Sequence, residues 1–120
     1  MELGRAAGGG LGTVTMQVDQ QALDELVRRI MEAVHPLKII LFGSAARGEM
    51  GPDSDVDVMV VMPEGTHRGH TAEHIYVSVR RVGIPFDVVV ATPEDLERHG
   101  DTPGLIYREV AREGRTLYAA

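Results

Sequence analysis

The chain contains no cysteine, which removes a disulfide framework, a thiolate metal site and a cysteine nucleophile together. Aromatic residues make up only 4% of it, so its core has to be built from Val, Leu, Ile and Ala. Lys38 is the single lysine, and the formal net charge is −6. Long-range attraction to nucleic acid or to an anionic membrane is therefore not expected. Any handling of phosphates has to be local or bridged by a cation. No apolar run approaches the ~20 residues that span a bilayer. The start of the chain lacks a basic segment followed by an apolar one, so a soluble, cytoplasmic protein without a secretion signal is expected.

What is present suits one domain: 120 residues, 43% hydrophobic and 25% charged, enough for a real core but not for two. Positions 1–15 are rich in Gly and Ala and lack periodicity, and they read as a flexible leader or as sequence ahead of a start at Met16. Positions 16–120 read as the single domain. Gly8 and Gly10 imitate part of a dinucleotide-binding fingerprint, but position 13 is Thr13 and no strand precedes them.

Periodicity then divides the chain. Leu23, Leu26, Val27, Ile30 and Val34 recur at spacings of three and four, predicting a helix over 19–35 capped by Asp19 and stopped at Pro36. "KIILF", positions 38–42, predicts a buried strand, broken by Gly43-Ser44 and followed by a helical turn over 45–49. A second apolar strand is expected over 55–62. Ala72, Ile75, Tyr76, Val79 and Val82 predict a helix over 67–82 with Gly83 just past its end. "PFDVVVAT", positions 85–92, predicts a third strand. Pro93 opens a helical turn, "TPGLIYREVAREG" a last helix, and "RTLYAA" a tail or edge strand. The sum is an α/β fold, a small mixed sheet flanked by helices.

The segment "LFGSAARGEMGPDSDVDVMVV" carries the chemistry. Along a strand, side chains alternate, so Asp55 and Asp57 share one face about 7 Å apart. Asp87 opens "DVVV" much as Asp57 opens "DVMVV", and a neighbouring strand could set it beside them. Three carboxylates converging on a half-buried place repel one another and lose hydration. A hard divalent cation relieves both, and Mg²⁺ typically shares its sphere among one or two carboxylates, waters and substrate phosphates. Gly43 permits close backbone approach to an anion, Ser44 offers a hydroxyl, and Arg47 a planar fork for phosphate. No Gly-Lys-Ser/Thr occurs, so this is not a Walker A loop.

The set "GSAARG…SDVDVMV…FDVVV" resembles the nucleotidyltransferase superfamily of polymerase beta and kanamycin nucleotidyltransferase, and by size its minimal, MNT-type antitoxin branch. That pattern is a Gly-Ser after a strand, an Asp-hydrophobic-Asp, and a third carboxylate one or two strands later. Gly43, Ser44, Asp55, Asp57 and Asp87 fill these positions, and the resemblance covers roughly positions 37–90. It implies a polymerase beta-like fold in which Ser44 contacts a triphosphate and Asp55 and Asp57 bind metal. Asp87 is then a metal ligand that also activates the acceptor hydroxyl. The implied reaction moves AMP from ATP, with two Mg²⁺ ions, and releases pyrophosphate. The implied partner is a small helical protein of the HEPN type encoded nearby, neutralised by adenylylation of a tyrosine. A homodimer is a further option.

Other readings stand beside this one. The module could neutralise its partner by masking without turnover, or serve as an aminoglycoside-type transferase subunit. Asp53 reads as a turn residue, and Arg47 as either a phosphate contact or a surface ion pair with Glu49 or Asp53. "HTAEH", His70 to His74, matches a short zinc-protease pattern, but Ala72 and Ile75 already account for that helix as packing; His70 and His74 could instead line the acceptor side, and no role is assigned to His67. Arg28, Arg29, Arg80 and Arg81 read as solvated faces, and Tyr107 and Tyr118 as packing residues.

Overall fold

The computed structural model describes residues 19–49, 55–79 and 82–120. The expected leader, and the readings at Asp53, Arg80 and Arg81, lie outside the described residues. Helix α1 spans Gln20–Val34, and the Asp19 carboxylate accepts from the Gln21 N–H at 2.9 Å, as the cap spacing predicts. Leu23, Leu26 and Ile30 bury its inner face completely. On the outer face Arg28 pairs with Glu25 and Glu32, and Arg29 with Glu25. Such exposed pairs contribute little to stability. The chain leaves α1 through His35 in the left-handed conformation, immediately before Pro36.

Four strands follow: β1 (Lys38–Phe42), β2 (Val56–Val61), β3 (Phe86–Ala91) and β4 (Arg115–Ala119), in the sheet order β3-β2-β1-β4. β1 is antiparallel to β2 and to β4, while β2 and β3 run parallel. The parallel pair requires a crossover, supplied by α3 (Arg68–Ser78). The terminal "RTLYAA" thus resolves as an edge strand, with a bulge opposite Ile39 and Ile40.

Both faces of the sheet are covered, which is why its strands read as continuous apolar runs rather than alternating ones. Ile39, Leu41, Val58, Val60, Val88 and Val90 face α1 and α3, together with Leu26 and Ile75. Ile40, Phe42, Met59, Val61 and Ala91 face Val110 of α5 (Ile106–Glu113), with Leu96 of α4 (Pro93–His99) packed alongside.

Two helices are shorter than their apolar patterns suggest. α3 ends at Ser78, and Val79 is already extended (φ −105, ψ 103). Val79 and Val82 are nonetheless buried, so the apolar spacing is satisfied without helix as the chain turns back toward β3. Likewise α5 begins only after Gly104, whose φ of +85 breaks the helical path.

The start of α4 is tied by a capping box. Thr92 Oγ1 accepts from the Asp95 N–H at 3.3 Å, and Asp95 Oδ2 accepts from the Thr92 N–H at 3.0 Å. Arg68 grips the same carboxylate with two nitrogens, at 2.8 and 2.9 Å, and holds its pKa below the ordinary carboxylate value. Because Thr92 is 2% exposed, Thr92→Ala is expected to cost about 1 kcal/mol in urea unfolding.

Candidate active site

β1 delivers the chain into Gly43, whose backbone (φ 74, ψ −155) lies in a region open essentially to glycine alone. The four-residue helix α2, Ser44–Arg47, starts at once, with the Gly43 carbonyl accepting from the Ala46 and Arg47 amides. Antiparallel pairing sets Phe42 opposite Asp57, which carries the aspartate up against the bend. A Cβ at position 43 would lie 2.6 Å from Asp57 Oδ2. The carboxylate therefore occupies the space that glycine leaves.

Parallel pairing then sets Asp57 level with Asp87, and residues level in adjacent strands share a face. By alternation it is the face of Met59, Val61 and Ala91. α5 covers these apolar residues but leaves Asp87 exposed and Asp57 half-buried, and Asp55 stands exposed just ahead of β2. The Asp57 pKa is pushed up, chiefly by burial, then by the negative charges of Asp87, Asp55 and Glu109. Among the described residues no donor hydrogen-bonds its carboxylate. Nor, among them, do three or more His, Asp or Glu side chains gather tightly enough to hold an ion by themselves. The arrangement is a carboxylate pair, Asp57 and Asp87, with Asp55 adding its charge from the strand's approach. Such a pair fits a hard cation whose remaining ligands are waters and phosphate oxygens.

Ser44 is half-buried at the first position of α2. Arg47, at its last turn, is engaged by Glu49 at 2.8 Å, Glu113 at 3.1 Å and Glu109 at 3.3 Å. Of its two open readings the structure displays the ion pair with Glu49, and adds two glutamates from α5.

Three site neighbours escaped the sequence. Glu109 and Glu113 lie on α5, more than sixty positions from Arg47. Tyr76 was expected on the apolar face of α3, yet it is 41% exposed. Its hydroxyl accepts from the Val88 N–H at 2.8 Å and reaches Asp87 Oδ1 at 3.4 Å. The signal available in advance was only the polar tip of a tyrosine, which seeks a hydrogen-bond partner; that β3 is an edge strand with outward amides emerges from the fold.

The histidines lie elsewhere. His67 caps α3, its Nδ1 accepting from the His70 N–H at 3.1 Å, and the two rings stack 3.8 Å apart. α3 starts beside Asp95 and Thr92, past the C-terminal end of β3. Asp57 and Asp87 lie near the N-terminal ends of β2 and β3, roughly 13 Å away along the strands. His67 and His70 thus belong to the far end of the sheet. His74 is paired with Ser78, with 3.5 Å between Nδ1 and Oγ.

A mixed four-stranded sheet with a glycine-serine bend leaving one strand, and carboxylates level on the next two, is the framework of a nucleotidyltransferase. Residues 23–115 match the nucleotidyltransferase domain family, and the chain belongs to it. A protein from Sulfolobus solfataricus assigned as a nucleotidyltransferase shares the fold with a TM-score of 0.52 and 15% identity, over 87% of this chain and 92% of that one. A toxin–antitoxin structure with AMP-PNP shares it with a TM-score of 0.53 and 18% identity, over 81% of this chain and 73% of that one. At such identities the likeness is one of fold. No curated protein matches by sequence.

Proposed function

We propose that the chain transfers AMP from ATP to a hydroxyl of a helical partner protein and so acts as its antitoxin. The observation that carries this reading is the level pairing of Asp57 with Asp87 beside the bend at Gly43. Family membership supports nucleotidyl transfer. The adenine nucleotide and the partner enter through the toxin–antitoxin structure with AMP-PNP and the resemblance to the minimal antitoxin branch, whose partners are HEPN-type proteins.

In this reaction the acceptor oxygen forms a bond to the α-phosphorus while the bond from that phosphorus to the β-phosphate bridge breaks. The acceptor proton passes to Asp87, and pyrophosphate leaves. Asp57 and Asp87, with Asp55, would hold two Mg²⁺ ions. Bound there, the metal supplies charge neutralisation of the triphosphate and of the departing pyrophosphate. Asp57, excluded from bulk water on one side by Gly43, fixes where positive charge is accepted. Ser44 reaches the phosphates from the bend. Arg47 becomes a phosphate ligand only by exchanging its glutamates for the substrate.

Incubation with α-labelled ATP, Mg²⁺ and the product of the adjacent reading frame tests the proposal. Label on that product is expected. Neutralisation without label on any acceptor would overturn transfer and leave masking as the mode of action.

A further inference from the structure

β3 is the outer strand of the sheet, and its pairing with β2 occupies the groups of alternate residues on the inner side. The Val88 amide therefore points outward, where an edge strand normally presents unpaired donors. Tyr76 comes over this edge from α3. Its ring lies on that of Phe86, with centroids 5.6 Å apart and planes 15° from parallel. Its oxygen accepts the Val88 N–H at 2.8 Å. Ring and oxygen are thus fixed by two separate contacts, both made with the strand that carries Asp87. With a lone pair committed to Val88, the hydroxyl proton is directed to Asp87 Oδ1 at 3.4 Å. Among the described residues the Tyr76 hydroxyl is the one donor that reaches this carboxylate.

We infer that Tyr76 is a positioning residue: held by Phe86 and the Val88 amide, it sets the rotamer of Asp87 so that the other carboxylate oxygen faces Asp57. The inference rests on the proposed role of the two aspartates as a metal-binding pair. A carboxylate exposed on one side has two χ torsions to settle, and one oxygen held by an outside donor leaves the other available inward. Partners of this kind orient ligating groups, and their removal typically lowers metal affinity or activity about 10- to 100-fold.

Tyr76→Phe is the decisive variant, because it deletes one oxygen and keeps the ring on Phe86. Mn²⁺ alone, titrated into the nucleotide-free protein and followed by the electron paramagnetic resonance of the free ion, is expected to bind the variant about tenfold more weakly than the wild type. Because the Val88 amide loses its acceptor, the melting temperature should fall by several degrees, and exchange of that amide should be faster. In ATP-dependent pyrophosphate release, kcat should fall about tenfold with KM for ATP within twofold, a split that general loosening of the fold would not produce. Equal Mn²⁺ affinity in variant and wild type would overturn the positioning role and leave the metal site standing. A wild type that binds no Mn²⁺ would overturn the metal-binding pair and this inference with it.

Discussion

Asp57→Asn is expected to lower nucleotidyl transfer by about 10³-fold while leaving the protein folded and slightly more stable. On the proposed reading Asp57 helps to hold the cation that neutralises transition-state charge; such a cation is worth several kcal/mol, and about 4 kcal/mol corresponds to three decades in rate. Stability moves the other way for reasons visible in the site. Burial, first, and the charges of Asp87, Asp55 and Glu109 raise the Asp57 pKa above its ordinary value of 3.8. A group whose folded pKa is raised stabilises fully below its unfolded value and loses that contribution as pH rises through the folded value. At neutral pH the ionised side chain is therefore a burden that asparagine, of the same shape, does not carry. The variant should melt higher than wild type at pH 7, and the difference should vanish below about pH 4. Thermal unfolding at both pH values, alongside transfer assays, checks the two halves together. A variant that loses both activity and stability would mean that Asp57 is structural.

Gly43→Ala carries the second large effect. Two costs coincide: a backbone conformation (φ 74, ψ −155) that side chains rarely adopt, and a methyl group 2.6 Å from Asp57 Oδ2. The first is of order 1–3 kcal/mol and cannot be relieved by rotating a side chain. The second can be relieved only by moving the carboxylate, and displacements near 1 Å at a reacting centre cost roughly 10²-fold in rate. Urea unfolding should show a loss of about 2–3 kcal/mol. Repeating the substitution in an Asp57→Ala background separates the two costs, since the contact disappears and the strain remains. A smaller penalty in that background is the expected coupling; equal penalties would show that glycine is needed there for backbone shape alone.

That Asp55 and Asp57 share a face next to the bend at Gly43, and that Asp87 is a candidate to join them, could be read in advance because each aspartate stands at the start of an apolar run and alternation along a strand fixes the facing of side chains. The same local logic located α1, strands β1, β2 and β3, and the proline that opens α4. It failed where tertiary contacts decide. Nothing local states that β2 and β3 are parallel and level at 57 and 87, nor that Val79 leaves the helix while remaining buried. Tyr76 was misplaced because a tyrosine at an apolar spacing satisfies the helical pattern equally well facing the core or reaching over a strand edge. Glu109 and Glu113 were invisible for a plainer reason: on α5 they resemble any solvated acid, and only the packing of that helix beside α2 brings them to Arg47.

That grip on Arg47 has a consequence for how the domain responds to its medium. The guanidinium and its three glutamates are all open to solvent, and at molar salt the range of such attractions shrinks to about 3 Å. The aliphatic layers on the two sides of the sheet feel no such weakening. Brine should therefore slacken the joint between the bend at Gly43 and the last helix long before it threatens the fold, so that turnover and melting temperature part company as ionic strength rises.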